Sequence, residues 1–187
     1  MNIYLVRHTT PDIELVYCYG QSDLDVKDTF PGEVKRIKKI LPAFDNIKVF
    51  SSPLKRCLKL ANALNLGEVQ TDDRLKEISF GCWEMKKWKK INKRDLDFWL
   101  EDFVNRCAPE GESYRQLHDR MIHFFEETIN HDYENVIIVS HGGALRTILA
   151  HIMEAPLQNL FRVNLDFGSV SRLCAQDGKI KIDYINR

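Results

Sequence analysis

Three short apolar runs stand out along the chain, at residues 2–6, 47–50 and 136–139. Continuous apolar runs of this length are typical of strands that are covered on both faces, as in a parallel sheet. The second run is the weakest, because Lys48 interrupts it. The pattern therefore predicts three buried strands that are far apart in the sequence.

Apolar residues at spacings of three and four predict helices after the second and third runs and over residues 112–130. In the first of these helices Ser52 is expected to be the N-cap and Pro53 the first residue. Another is expected to follow Gly142-Gly143. The three apolar stripes are Leu54, Cys57, Leu58, Ala61 and Leu64; Leu117, Met121, Phe124 and Phe125; and Leu145, Ile148, Leu149 and Ile152.

Near the end of the chain, Gln176-Asp177-Gly178 separates residues 165–175 from residues 179–184, which predicts a hairpin of antiparallel edge strands. Alternation of strands and helices favours an α/β fold, a three-layer α/β/α sandwich with a mostly parallel central sheet. No repeat or linker interrupts the pattern, so we expect a single domain over residues 1–187.

The segment from about residue 83 to residue 108 differs from the rest of the chain in composition, because lysines and acidic residues lie there among aromatic residues. One interpretation is an amphipathic helical insertion with solvated charges. The other is a lid whose lysines at 86–90 attract an anionic substrate and whose tryptophans cover it. The two interpretations are compatible with each other.

Composition excludes several classes of protein. Lys and Arg total 27 and Asp and Glu total 27, so no excess of cations favours nucleic-acid binding. No apolar run is long enough to cross a membrane and no signal sequence is evident, so a cytoplasmic protein is expected. The five cysteines are scattered, and no cysteine or histidine spacing fits a metal site, so no metal is expected.

Candidate chemistry follows each predicted strand. Arg7 and His8 end the first, and Arg56 lies in the first turn of the helix after the second, where the N-terminus attracts phosphate. His141 ends the third, and Gly142 lets a ligand approach the backbone closely. Ligands of open α/β sheets bind at the carboxyl ends of strands. The pattern thus indicates a site for an anion that a histidine attacks.

The sequence also offers candidate proton donors and lacks the motifs of several other enzyme classes. Glu77 and Glu84 are the carboxylates of the string L-K-E-I-S-F-G-C-W-E that qualify as proton donors. The H-G-G string also occurs in lipase oxyanion loops, but no G-x-S-x-G nucleophile accompanies it. The sequence lacks nucleotide-binding glycine motifs, and no cysteine is followed six residues later by arginine. Esterase, nucleotide-binding and thiol-phosphatase chemistries are therefore not favoured.

The blocks R-H-T, S-S-P-L-K-R-C, L-K-E-I-S-F-G-C-W-E and S-H-G-G-A-L-R resemble, in order, the phosphoglycerate-mutase-like branch of the histidine phosphatase superfamily. The resemblance implies that His8 is a nucleophile that becomes phosphohistidine. It also implies that Arg7, Arg56 and His141 hold the phosphoryl oxygens and that Glu77 protonates the leaving group. It implies neither a metal nor another cofactor.

The string Y-C-Y-G-Q-S-D at residues 17–23 is similar to that of α-ribazole phosphatases, as are W-E-M at 83–85 and P-E-G-E-S at 109–113. By contrast, Thr9, Pro11 and Glu14 differ from the mutase pattern. The resemblance implies hydrolysis of α-ribazole 5′-phosphate in cobalamin biosynthesis. The implied substrate-binding residues are Arg7, Tyr19, Gly20, Gln21, Ser22, Arg56, His141 and Gly142.

Several alternatives stay open at this point. One is a broad sugar-phosphate or phosphoglycerate phosphatase, or a mutase. Another is a non-catalytic phosphate-binding protein, which would need neither a nucleophile nor an acid. The expected partner is a small phosphate monoester, with no nucleic acid and no membrane, and the sequence leaves open whether the chain is a monomer or a homodimer.

Overall fold

The computed structural model describes every residue from Met1 to Arg187. Its centre is a six-stranded sheet in the order β3–β2–β4–β1–β5–β6. The strands are β1 Asn2–Arg7, β2 Lys48–Ser51, β3 Val69–Thr71, β4 Asn135–Ser140, β5 Val170–Gln176 and β6 Lys179–Tyr184. The first four strands in the sheet order are parallel, whereas β5 runs antiparallel to β1, and β6 to β5. The expected mostly parallel sheet with an antiparallel edge is confirmed.

Helices cover both faces of this sheet. They are α1 Phe30–Ile40, α2 Lys55–Leu64, α3 Lys93–Glu101, α4 Tyr114–Ile129 and α5 Gly142–Ile152. One apolar cluster joins α1 and α2 to one face, and a larger cluster joins α4 and α5 to the other. The α/β/α layering is therefore confirmed. None of the helices has the length and apolar character that crossing a bilayer requires.

Parallel registry brings the carboxyl ends of three strands together. Arg7 of β1 lies opposite Ser140 of β4, and Ser51 of β2 lies opposite Val139 of the same strand. Every residue of β4 is buried, because it lies between β1 and β2 and is covered by helices on both faces. The residues that follow β1, β2 and β4 consequently meet at one edge of the sheet.

The start of α2 differs from the sequence prediction. The helix begins at Lys55 rather than at Pro53, and no side chain of its N-cap residue closes it. Ser52 Oγ instead lies 2.8 Å from His141 Nε2. The cap comes from a distant residue, because Lys55 N donates to Asp23 Oδ1 at 2.6 Å. A cap supplied across the fold is invisible to local sequence patterns.

Two further differences concern elements near the sheet edges. The sequence prediction missed α1 and β3, and it began β5 at residue 165 rather than at Val170. β3 has only three residues, two of them exposed, so it carries no strong local pattern. The helix α1 does carry one, which the prediction overlooked: a proline lies in its first turn, and Val34 and Ile37 lie on its buried face. Residues 165–169 instead form a loop that extends over the candidate site.

The helical insertion contains α3, and its central tryptophans belong to the core. Trp83 and Trp99 are 4% and 5% exposed, and their rings pack edge to face with centroids 5.9 Å apart. The rings of Trp83 and Trp99 therefore fill space beneath the insertion rather than lying open to a substrate. Trp88 is half-buried, and its place in a lid over the substrate stays a prediction. The lysines at 86–90 are exposed or half-buried, and their attraction of an anion stays a prediction.

Candidate active site

The structure brings together all five residues predicted to be catalytic. The rings of His8 and His141 lie edge to face with centroids 5.1 Å apart. Arg56 Nε is 3.3 Å from His8 Nε2. Arg7 and Glu77 complete the group, each lying against one of the glycines that begin α5. Residues separated by more than 130 positions thus form one cluster at the carboxyl edge of the sheet.

The tautomer of His8 follows from its two hydrogen bonds. Nδ1 lies 2.7 Å from the carbonyl oxygen of Thr9, which only accepts, so Nδ1 carries the proton. Nε2 accepts from Arg56 Nε, which only donates. The lone pair of the neutral ring is therefore on Nε2, inside the cluster. A ring nitrogen with this lone pair is suited to attack phosphorus.

Burial keeps both histidines neutral. Loss of solvation lowers the pKa of His8 well below its usual value, and the nearby Arg56 and Arg7 cations lower it further. The pKa of His141 is also lowered well below its usual value by burial, and then by Arg56 and His8. Because a protonated imidazole has no lone pair on the second nitrogen, this depression preserves the nucleophilic form of His8 at neutral pH.

Arg56 is fully buried yet has no carboxylate partner. Its guanidinium donates to the carbonyl oxygens of Gly20 at 2.6 Å and Ser22 at 2.8 Å, in addition to His8 Nε2. Carbonyl dipoles orient the guanidinium without neutralising it. A buried cation of this kind retains a full charge for an anionic ligand.

Arg7 is held in a similar way. Its NH1 donates to the carbonyl of Leu165 at 2.5 Å, and its guanidinium lies 3.8 Å from the ring centre of Phe167. Its Nε is buried and has no hydrogen-bond partner in the chain. Burial lowers the pKa of Arg7 from its usual value, although this group stays charged at neutral pH. An unpartnered guanidinium nitrogen beside Arg56 favours a bound anion.

Glu77 lies at the N-terminus of α5. Its carboxylate accepts from the backbone N–H groups of Gly143 at 2.9 Å and Ala144 at 3.1 Å. A Cβ on Gly143 would lie 2.5 Å from Glu77 Oε1, and one on Gly142 would lie 3.1 Å from Arg7 Cζ. The glycine pair therefore leaves room for the carboxylate and the guanidinium, which adds to its expected role in ligand approach.

These observations coincide with a family match. The model of the histidine phosphatase superfamily, branch 1, matches residues 3–187. The chain belongs to this superfamily. It is accordingly an enzyme of the phosphomonoesterase type, as the four sequence blocks imply. No group of three or more His, Cys, Asp or Glu side chains in this phosphatase is placed to hold a metal ion.

Several named proteins are similar to nearly the whole chain. "Putative phosphoserine phosphatase 2" of Hydrogenobacter thermophilus is 28% identical over 99% of this chain and 95% of its own length. Adenosylcobalamin/alpha-ribazole phosphatase of Salmonella typhimurium is 24% identical over 100% of this chain and 96% of its own length. The alpha-ribazole phosphatase structure from Shigella flexneri has a TM-score of 0.92 at 20% identity, covering 100% of this chain and 96% of that chain. The last similarity establishes the fold.

The turn expected to bind substrate is held by Glu84. This carboxylate accepts from the backbone N–H groups of Gln21 at 2.9 Å, Ser22 at 2.6 Å and Phe80 at 3.1 Å, and from the Ser22 hydroxyl. Both carboxylates of the string considered for proton donation accept backbone N–H groups, but they do so in different places. The partners of Glu84 belong to the turn and to Phe80, whereas Glu77 lies at the N-terminus of α5 in the cluster. In the structure Glu84 stabilises the turn by accepting hydrogen bonds from Gln21 and Ser22.

Within this turn the residues differ in their accessibility to a ligand. The side-chain amide of Gln21 donates to the carbonyl of Glu77 at 3.0 Å, so that amide and the Ser22 hydroxyl bond within the chain. Gly20 is buried, and a Cβ there would lie 1.9 Å from the carbonyl oxygen of Ile78. Tyr19 is half-buried, with its ring 5.8 Å from Arg56 Cζ. Of these residues, Tyr19 is the one whose ring lies beside the Arg56 guanidinium.

Sequence reasoning missed several neighbours of the cluster. Arg146 NH1 would lie 3.1 Å from a Cβ on Gly142, where Arg7 also lies, and Arg146 Nε donates to the carbonyl of Val163 at 2.8 Å. Arg146 is the last residue of the string S-H-G-G-A-L-R, so its place in that string could have indicated that it lies near the site. Phe167, whose ring centre lies 5.5 Å from that of His8, comes from a loop without any local signal.

Proposed function

We propose that this phosphatase hydrolyses phosphate monoesters through a phosphohistidine on Nε2 of His8. The observation that carries the proposal is the forced tautomer of the buried, neutral His8, with its lone pair on Nε2 beside Arg56. Nε2 attacks phosphorus as the bond from phosphorus to the ester oxygen breaks. Charge on the other phosphoryl oxygens is stabilised by Arg7, Arg56 and the dipole of His141.

Glu77 supplies the proton that the leaving oxygen needs. In the first step its protonated carboxyl transfers that proton to the departing alkoxide. In the second step the carboxylate takes a proton from water as the water oxygen attacks phosphorus, and His8 Nε2 departs with its lone pair. The reaction as proposed needs no metal, because the two guanidinium groups supply the positive charge.

The proposed substrate is α-ribazole 5′-phosphate, and the pathway is cobalamin biosynthesis. Support comes from the string at residues 17–23 and from full-length relatives named as adenosylcobalamin/alpha-ribazole phosphatases. Tyr19 offers an aromatic face beside Arg56, which suits a ribose or base attached to the phosphate. In this proposal the substrate-binding residues are those predicted from the sequence, and Gln21 and Ser22 contribute by holding the turn in shape.

A second candidate substrate is a small phosphate monoester that also carries a carboxylate, such as phosphoserine or phosphoglycerate. It is favoured by the half-buried Arg146 guanidinium beside Gly142, and by the relative named "Putative phosphoserine phosphatase 2". A guanidinium binds a carboxylate with two parallel hydrogen bonds. This candidate therefore makes Arg146 the residue that decides the substrate.

The test measures phosphate release in excess EDTA from α-ribazole 5′-phosphate, phosphoserine, 3-phosphoglycerate and fructose bisphosphate. We expect α-ribazole 5′-phosphate to be preferred in kcat/KM by roughly tenfold or more. Brief acid-free quenching with labelled substrate should trap label on the enzyme, and His8→Ala should take up none. A preference for phosphoserine would replace the proposed substrate, whereas labelled His8→Ala would overturn the phosphohistidine mechanism.

A further inference from the structure

A half-buried ion pair lies next to the loop that carries Glu77. Arg120 of α4 donates through Nε to Glu112 Oε1 at 2.7 Å and through NH2 to Glu112 Oε2 at 2.9 Å. The two side chains are only 19% and 21% exposed. This geometry is the bidentate form in which guanidinium and carboxylate bind most strongly.

The remaining donors of Arg120 all reach one stretch of backbone. NH1 donates to the carbonyls of Arg74 at 2.5 Å and Lys76 at 2.7 Å, and NH2 donates to the carbonyl of Glu77 at 2.9 Å. Every N–H of the guanidinium is therefore used. Three of its five bonds hold the segment from Arg74 to Glu77, which begins in a short 3₁₀ turn.

Glu112 fastens the same loop on its other side. Its Oε2 accepts from the backbone N–H of Ser79 at 2.9 Å and from the Gln21 side-chain amide at 3.4 Å. That amide also donates to the Glu77 carbonyl at 3.0 Å. The ion pair thus fixes the backbone on both sides of Glu77, while α5 holds its carboxylate through Gly143 and Ala144.

We propose that the Arg120–Glu112 pair is a positioning device for the proton-donating carboxylate of Glu77. The pair lies next to the loop and acts on the reaction only through the placement of that carboxylate. A displacement of about 1 Å is enough to cost a reaction about 10²-fold. This inference rests on the proposed function of Glu77 as the acid.

Lysine cannot replace Arg120 in this role. An ammonium group has three donors on a single nitrogen, and it cannot span a carboxylate and three carbonyl oxygens at once. Arg120→Lys keeps the charge next to Glu112 but releases most of the loop. If the pair served only to neutralise charge, lysine would restore activity; if it positions Glu77, lysine would not.

The test uses two substrates that differ in their need for an acid. An alkyl phosphate such as ribose 5-phosphate has a poor leaving group, whereas the leaving group of p-nitrophenyl phosphate departs without protonation. For Arg120→Lys and Glu112→Gln we expect kcat/KM on the alkyl phosphate, which reports the steps up to departure of the leaving group, to fall by roughly 10²-fold. On p-nitrophenyl phosphate kcat/KM should change by less than about threefold. Arg115→Lys, at the exposed start of the same helix, is the matched control and should change neither rate.

A double-mutant cycle separates this inference from the proposed function. In a Glu77→Gln enzyme the acid is already lost, so adding Arg120→Lys should reduce kcat/KM on the alkyl phosphate by less than about threefold. An equal loss of kcat/KM in both backgrounds, or an equal loss on both substrates, would overturn the positioning role. If Glu77→Gln itself lowers kcat/KM equally on the two substrates, the proposed acid is wrong, and the failure lies with the proposed function.

Discussion

The cations of the active site are oriented by groups that carry no negative charge. Arg56 donates to two carbonyl oxygens and to His8, and Arg7 donates to one carbonyl and stacks on Phe167. Arg120, which faces away from the reaction, is instead paired with a carboxylate. Carbonyl dipoles fix a guanidinium without cancelling its charge. The charges of these two guanidinium groups are therefore available to a bound phosphate, because no carboxylate is paired with them.

A substitution of Arg56 tests this use of the guanidinium fork. Arg56→Lys keeps a positive charge but cannot bond Gly20, Ser22 and His8 together, so we expect kcat/KM to fall by about 10²–10³-fold. Steady-state kinetics on the preferred substrate measure the loss. Lys59→Met, which removes an exposed cation from the same helix, is the control. Activity of Arg56→Lys within twofold of the parent would contradict the role of the fork.

At the scale of the element, loops and helix ends hold the site in place through bonds that cross the fold. The helix α1 fastens two of these loops, because Glu33 accepts from the Thr10 N–H at 2.9 Å and Arg36 donates to the Phe167 carbonyl at 2.8 Å. Glu84 braces the turn before Ser22 in the same manner. These contacts are formed between distant segments, so no local pattern indicates them.

Backbone conformation at the W-E-M string gives a prediction for stability. Met85 has φ 62°, a left-handed conformation that costs a non-glycine residue about 1–2 kcal/mol. Glycine relieves this cost but loses about 0.5–1 kcal/mol through the greater entropy of the unfolded chain. Met85→Gly should therefore raise the free energy of unfolding by about 0–1.5 kcal/mol. Urea unfolding measures the change.

The control for that prediction is a neighbouring glycine. Gly81 has φ 48°, and a Cβ there would lie 2.2 Å from the carbonyl oxygen of Pro109. Gly81→Ala should therefore lose about 2 kcal/mol or more in the same assay. Should Met85→Gly lose as much as Gly81→Ala, the strain assigned to Met85 would be absent.

At the scale of the whole molecule, the burial of two neutral histidines links folding to pH. The folded pKa values of His8 and His141 are lowered well below the value near 6.5 of an unfolded chain. Below that pH the unfolded state binds protons that the folded state does not, so stability falls as the pH falls. Each histidine contributes a slope of up to about 1.4 kcal/mol per pH unit.

Comparison of variants isolates this contribution from that of the carboxyl groups. Between about pH 5 and 6, His8→Asn should lose stability less steeply than the parent, by about 1 kcal/mol per pH unit. The exposed His131→Asn serves as the control and should keep the parental slope. Urea unfolding at three pH values gives the slopes. Parallel slopes for all three proteins would show that His8 is not held neutral by the fold.

The sequence by itself determined the three central strands, the layers around them and the five residues of the reactive cluster. It did so because buried parallel strands are continuous apolar runs, and because the residues that follow such strands meet at one edge of the sheet. Arg7, His8, Arg56 and His141 follow the predicted strands, so the sequence pattern was enough to place them together. Glu77 was one of two candidate carboxylates, and the resemblance to the family selected it over Glu84.

Only the tertiary structure decided how that cluster is held. The cap of α2 from Asp23, the brace from Glu84 and the Arg120–Glu112 pair join residues that are between 8 and 62 positions apart. The burial of Trp83 and Trp99 in the core was likewise decided by packing. The sequence of an amphipathic segment does not show which part of the fold, or which ligand, covers its aromatic face. The hydrogen bonds of the cap, the brace and the ion pair join segments that come close only after the sheet has formed. The local sequence pattern of one segment therefore does not indicate them.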